Sequence, residues 1–249
     1  MPFDLASFSL LDMLQCGKGI RSAAADTASI DEAASGIVGY LYSELRSESA
    51  AAQRPALVRF YKTQPFGSLE PRLKAFALSK MGAGKAQSDM RCLTLLATAG
   101  QEPEWCDPRL SVDHQAIPLP SESIVEDAPM IAQLIRELGM DIADVVSPDP
   151  ALIPERAGRT YNVFHVPEAL GSPYIPVQAE FVERYGIRSV IGFGGLLPDG
   201  ELFAVVIFAR GPIPADSASR FRNIALDVKA VIHPFARPEV TYRPGDLPD

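Results

Sequence analysis

Two β-rich arms, Arg188–Leu197 and Glu201–Arg210, flank the tripeptide Pro198-Asp199-Gly200, and no other stretch of the chain constrains its fold as strongly. Glycine can take the positive φ that closes a short turn with a bulge, and the arms are rich in residues that suit a pleated strand. The hairpin commits the chain to an antiparallel strand pair in its last third. The second arm, around Leu202–Ala209, is also the longest apolar run. It has the length of a strand and falls well short of the roughly 20 residues that cross a bilayer.

Upstream, the periodicity alternates less evenly. Phe3, Leu5, Phe8, Leu10, Leu11 and Leu14 predict a short amphipathic helix that docks on the body or on a partner, and Gly17–Ser22 reads as a break. Ser29 followed by Glu32 has the form of a capping box, in which hydroxyl and carboxylate satisfy free amides at a helix start. Ile37, Tyr40, Leu41 and Leu45 continue that helix to about Ser47–Gln53. Ala56–Lys62 is a strand, Leu69–Lys80 a helix and Arg91–Ala97 a second strand. A proline-interrupted stretch from Gly100 to Ser121 cannot be regular throughout, because each proline lacks an amide and restricts its predecessor. A helix follows from Ser123 or Asp127 to Leu138, with Gly139 as its stop. Tyr161–Val166 is a strand, Val177–Tyr185 a short helix and Ile213–Phe235 the last helix.

This order argues against a doubly wound nucleotide fold, where strands and crossover helices alternate regularly. It predicts an α/β (α+β) fold with a central antiparallel sheet. The N- and C-terminal helices cover one face, and the excursion from Gly100 to Tyr185 covers the other and forms a pocket. The expected organisation is an N-terminal extension over 1–28, one domain over 29–236 and a flexible tail over 237–249.

Charge narrows the partners. With 23 Lys and Arg against 31 Asp and Glu, the net charge of -8 disfavours a phosphate backbone, so nucleic acid is not expected. Three cysteines, Cys16, Cys92 and Cys106, lie far apart without a CxxC spacing, as in a reducing compartment. The start, Met1-Pro2-Phe3-Asp4, has no basic segment leading into an apolar core, and no membrane span is visible. Cytoplasm is the expected location.

Tyr161-Asn162-Val163-Phe164-His165-Val166-Pro167, Gly171-Ser172-Pro173-Tyr174-Ile175-Pro176 and Ile187-Arg188-Ser189-Val190-Ile191-Gly192-Phe193-Gly194-Gly195, with the hairpin, carry a likeness to a known family. His114-Gln115-Ala116-Ile117-Pro118-Leu119-Pro120-Ser121 shares it. Over roughly 29–234 the chain resembles GAF domains of the kind found with bacterial two-component histidine kinases. The resemblance implies a sheet of about six strands, a ligand or cofactor pocket on one face and homodimerisation through helices on the other. No phosphotransfer helix pair or ATPase domain follows Phe235, so output is expected to pass to a histidine kinase or other signalling protein.

Within that frame the chain is expected to be a small-molecule or cofactor sensor in bacterial signal transduction, and no enzyme. The alternatives are a ligand-free interaction domain for a kinase or regulator, and a GAF-type reductase using cysteines such as Cys106 and Cys92. Gly192-Phe193-Gly194-Gly195 lacks the helix and the Lys-Ser or Lys-Thr of a phosphate loop and reads as close backbone packing in a sheet. No zinc spacing is present, and without a Cys-His dipeptide covalent attachment of a bilin is disfavoured. No metal site is expected, although His165 or His114 could serve as a single axial ligand to haem. The cofactor is otherwise unknown. Alternation in Tyr161–Val166 puts Tyr161, Val163 and His165 on one face and Asn162, Phe164 and Val166 on the other. The expected pocket set is His114, His165, Tyr161, Tyr174 and Arg188, where arginine could hold a carboxylate in a two-pronged contact.

Overall fold

The computed structural model describes residues 2–47, 53–81, 85–159 and 161–236. The expected tail over 237–249 lies outside the described residues.

A short strand β1 (Phe3–Asp4) precedes helices α1 (Leu10–Ala23) and α2 (Ile30–Glu44), and β1 pairs in parallel with β2 (Leu45–Arg46). Then come β3 (Leu57–Pro65), α3 (Pro71–Met81), β4 (Arg91–Gly100) and β5 (Ala116–Leu119). The excursion continues through α4 (Glu122–Glu126), α5 (Pro129–Leu138), α6 (Ile142–Val146) and α7 (Ile153–Ala157) to β6 (Val163–Val166). After a π-helical turn at Gln178–Glu183, the hairpin strands β7 (Ser189–Leu196) and β8 (Leu202–Ala209) lead into α8 (Ala215–Ile232).

The main sheet has six strands in the order β5-β4-β3-β8-β7-β6, each pair antiparallel. The expected mixed helix-and-sheet fold with a central antiparallel sheet is therefore present. Gly200 takes φ +80° in the turn, where its amide donates to Leu197 O at 3.0 Å and Leu197 N donates to Glu201 O at 2.8 Å. Proline in β5 is tolerated because that strand is an edge, with only β4 beside it.

Alternation along the central strands divides the core in two. Val58 and Phe60 of β3 and Phe203, Val205, Ile207 and Ala209 of β8 share one apolar layer with α1, α2 and α8. Leu57 and Tyr61, with Leu202, Ala204, Val206 and Phe208, face the excursion. An irregularity between Phe60 and Tyr61 admits Leu96 of β4 as an extra residue and keeps both alternations in phase.

Three local expectations are corrected. Helix α1 runs through Gly17–Ser22 without a break, because Gly17 faces α8: a Cβ there would overlap the Asp227 carboxylate, which also pairs with Arg21. The apolar stripe of α1 is also turned over. Met13, Cys16 and Ile20 are buried, whereas Leu10, Leu11 and Leu14 are 62%, 62% and 59% exposed. Ser29 caps α2 by accepting from Glu32 N at 3.2 Å, but Glu32 takes the Ala28 amide, and the reciprocal box forms instead between Ser9 and Asp12. Of the two starts expected for the helix that ends at Leu138, the later one near Asp127 agrees with α5, which Pro129 opens, and the residues around Ser123 form the separate short α4.

The segment expected as an extension belongs to the same core. Phe8 stacks on Phe221 of α8 at 4.8 Å between centroids, and Phe221 meets Phe193 of β7 at 5.4 Å. Helix α1 packs on both α2 and α8, so the helix surfaces expected to pair two subunits are partly covered from within the chain. The inverted stripe has a direct check. Gly17→Leu should cost more than about 2 kcal/mol by forcing α1 away from α8, while at concentrations where the chain is monomeric Leu11→Gln should change stability by less than about 0.5 kcal/mol. Urea unfolding of the two variants with unchanged slope measures both effects, and the opposite ranking would place the leucines in the core.

Candidate functional site

Between the sheet and the excursion lies a cavity of about 470 Å³. Its floor is the excursion-facing side of β3 and β8: Arg59, Tyr61, Ala204, Val206 and Phe208. Arg59 stands opposite Val206 and Tyr61 opposite Ala204 across the strand pair. Small and branched neighbours thus leave room above the two larger polar side chains. Helix α5 supplies Met130, Ile131, Leu134 and Ile135 as one wall. Its apolar face follows from the helical spacing of these residues.

The other end is aromatic. Trp105, Phe181 and Tyr185 form mutual ring contacts, with Trp105 and Tyr185 centroids 4.5 Å apart, and Phe181 meets Phe208 edge-on at 5.0 Å. Thr98 on β4 donates its hydroxyl to Trp105 O at 2.9 Å, which ties the irregular 101–115 segment to the sheet. Gln178 braces the later wall by donating to the carbonyls of Ala169 and Ile175.

Polar groups are few and specific. Arg59 is only 8% exposed, and its Nη1 donates to Tyr61 Oη at 3.2 Å while Nε is buried without a hydrogen-bond partner. Ser111 Oγ, also buried at the cavity, has no partner either. His114 lines the rim, and its pKa is held below the usual imidazole value by the surrounding protein and by the Arg59 guanidinium. Both favour a neutral histidine, which offers one donor and one acceptor. Asp113 beside it is held below the usual carboxylate range by its hydrogen bond from Lys80 at 2.8 Å.

Of the five residues expected at the pocket, His114 alone lines this cavity. His165 points to the opposite face of β6, where Nε2 bonds Ile213 O at 2.8 Å. Its neighbours Phe164 and Val166 take the excursion side instead. With that nitrogen occupied and the ring behind the sheet, His165 is not placed to ligate haem in the cavity. Tyr161 precedes β6, lies against Gly195 and donates its hydroxyl to Arg156 O at 2.7 Å. Tyr174 is half-buried beside the excursion core but off the cavity, and Arg188 is exposed, with its backbone tied to Ala209 and Ala169.

Arg59 and Tyr61 escaped the sequence reading. A signal existed: Arg59 is a lone charge inside the apolar run Ala56-Leu57-Val58-Arg59-Phe60-Tyr61, now seen to be a central strand. No cysteine lines the cavity. Cys92 faces α3 among Leu69, Ala77 and Ala116, and burial pushes its thiol up to about 11. Burial likewise pushes Cys16 up to about 12, and Cys106 is exposed. Among the described residues no cluster of His, Cys, Asp or Glu could hold a metal ion, and no helix is long and apolar enough to cross a membrane.

No protein-family model matches the chain, and no curated protein matches it. Among solved structures it is similar to the GAF domain of a phosphoenolpyruvate-protein phosphotransferase from Coxiella burnetii, at 11% identity and TM-score 0.46, covering 89% of this chain and 93% of that one. The equivalent GAF domain from Acinetobacter gives 11% identity and TM-score 0.45 over 88% and 92%. A phycocyanobilin-bound GAF domain from a cyanobacterial phytochrome gives 11% and 0.42 over 91% and 97%.

The placement of His165 is testable. His165→Ala should lose about 1 kcal/mol with its bond to Ile213 O and leave uptake of an apolar dye into the cavity unchanged. Dye titration alongside urea unfolding separates the two, and loss of dye binding in the folded variant would return His165 to the site.

Proposed function

We propose that this chain is a sensory or regulatory module that holds a small molecule between the sheet and the excursion and reports its presence to another signalling protein. The observation that carries this reading is the cavity itself. Its volume lies in the range of small-molecule sites, and apolar walls with a few convergent polar groups are the usual composition of such sites. Its lid is assembled from short helices, turns and prolines, elements that can shift with respect to a rigid sheet. Ligand occupancy would be read as a change in that lid, transmitted through the sheet to α8 and the helices packed on it.

The resemblance to GAF domains of histidine kinases suggests a kinase or regulator as the output partner and the cytoplasm as the compartment. Catalysis plays no part in this reading. Homodimerisation belongs to it in altered form. Because α1 covers α2 and α8, pairing would use the outer face of α1, where Leu10, Leu11 and Leu14 lie exposed side by side. Sedimentation velocity should then show a dimer at micromolar concentration that Leu14→Glu converts to a monomer; a monomeric parent protein would remove the pairing.

The ligand-binding test is native mass spectrometry with an absorption spectrum of freshly purified protein, together with titration of an apolar dye. A co-purified mass or saturable dye binding is expected. Val206→Phe, which narrows the floor, should weaken binding by about tenfold or more without loss of circular dichroism. Absence of both signals in the parent protein would leave the surface of the chain, and not its interior, as the functional element.

A further inference from the structure

We infer that the cavity is built for a monoanionic amphiphile whose carboxylate is held by Arg59 and whose apolar body lies against α5 and the aromatic end wall. The inference rests on reading the cavity as a ligand site and names the class of ligand.

The Arg59 charge acts on the Asp113 carboxylate at the rim but makes no direct ion pair with it. A guanidinium enclosed by protein is strongly unfavourable unless it is paired and hydrogen-bonded. Among the described residues none of the ion pairs includes Arg59. Its side chain makes one hydrogen bond among the described residues, from Nη1 to Tyr61. Nε has no acceptor among the described residues and is closed off from solvent, so a rotation of the side chain has to bring the edge formed by Nε and Nη2 to the cavity that Arg59 lines. That edge presents two parallel N–H donors, the geometry that a carboxylate accepts in a bidentate contact.

Neighbouring groups agree with one negative charge and no more. Asp113 at the rim is already neutralised by Lys80 at 2.8 Å, so that lysine is not free to meet a second anionic oxygen. Glu104 and Glu180 also line the cavity, but both are exposed and disfavour a polyanion such as a phosphate ester. Neutral His114 at the rim can supply a donor to a carboxylate oxygen, whereas Ser111 Oγ, enclosed and without a partner, becomes one only if the 101–115 segment shifts. Apart from these groups and Tyr61 Oη, the interior offers Leu93, Ile131, Leu134, Ile135, Val206 and Phe208, which suit hydrocarbon or an aromatic ring.

Trp105 is the only tryptophan of the chain and stands in the cavity wall, so its fluorescence reports occupancy directly. Two matched pairs of probes are titrated, decanoate with decan-1-ol and 4-phenylbutanoate with 4-phenylbutan-1-ol, with calorimetry as the second readout. At neutral pH at least one acid should bind about tenfold or more tightly than its alcohol, the worth of a hydrogen-bonded contact to a charged group. The tighter acid identifies an aliphatic or an aromatic body. Arg59→Met should abolish the preference while alcohol binding persists, and Arg59→Lys, a point charge without the fork, should keep part of it. Equal binding of acids and alcohols by the parent protein, which needs no variant to fold, would overturn the assignment and leave the cavity a neutral-ligand site. No response to any probe by fluorescence or calorimetry would overturn the ligand-site reading with it.

Discussion

Strand β8 has no face toward water. All eight residues from Leu202 to Ala209 are buried, and the strand is bonded to β3 on one side and β7 on the other, so its backbone groups are satisfied within the sheet. Burying such side chains contributes roughly 1.5–3 kcal/mol each, but only if both faces are covered. One face takes Phe203, Val205 and Ile207 under α2 and α8; the other takes Leu202, Val206 and Phe208 under the excursion. The helices and the irregular lid are thus two answers to the same requirement, imposed from opposite sides.

The two answers differ in quality of packing. On the helical side Phe8, Phe221 and Phe193 interlock, and Gly17 lets α1 approach α8 closely. On the excursion side short elements broken by Pro108, Pro118, Pro129 and Pro154 cannot follow the sheet continuously, and about 470 Å³ is left between them. Protein interiors are ordinarily packed without such space, and an apolar void forfeits the contacts its lining would make. The lid is nevertheless held in place at chosen points, by Thr98 on Trp105 O and by Gln178 on Ala169 and Ile175. A space kept open by anchored walls, with an enclosed guanidinium in its floor, differs from a packing defect, because a defect has no reason to contain a charge.

Much of the fold was legible because local rules are strong where the pattern is regular. The hairpin, its glycine turn, α2, α3, α8 and the strands from Leu57 and Arg91 all follow from period-two or helical spacing and from cap and turn residues. The cavity's location under the 100–185 excursion followed from the same order of elements. Site residues were less legible. Alternation correctly separated His165 from Phe164, yet a single edge strand has two faces, and nothing within it says which one meets the excursion. Contact of Phe164 with Gly192 and the bond from His165 to Ile213 O settle it, and both partners lie more than a helix-length away in sequence. Helix α1 shows the same limit, because hydrophobicity favours Leu10, Leu11 and Leu14, whereas fit against α8 favours Met13, Cys16, Gly17 and Ile20.

By itself, then, the sequence determined most of the inventory of elements, the antiparallel hairpin and the stretch of chain that had to cover the second face of the sheet, since these depend on residue spacing and on what proline and glycine permit. Tertiary structure alone decided which face of each element is inside and which polar groups converge. Arg59 and His114 are separated by half a hundred residues and belong to different elements, and they share one cavity because β3 runs beside β4, β4 beside β5, and the segment between β4 and β5 folds back over the sheet. Convergence of that kind is a property of strand order in space, and no local periodicity encodes it.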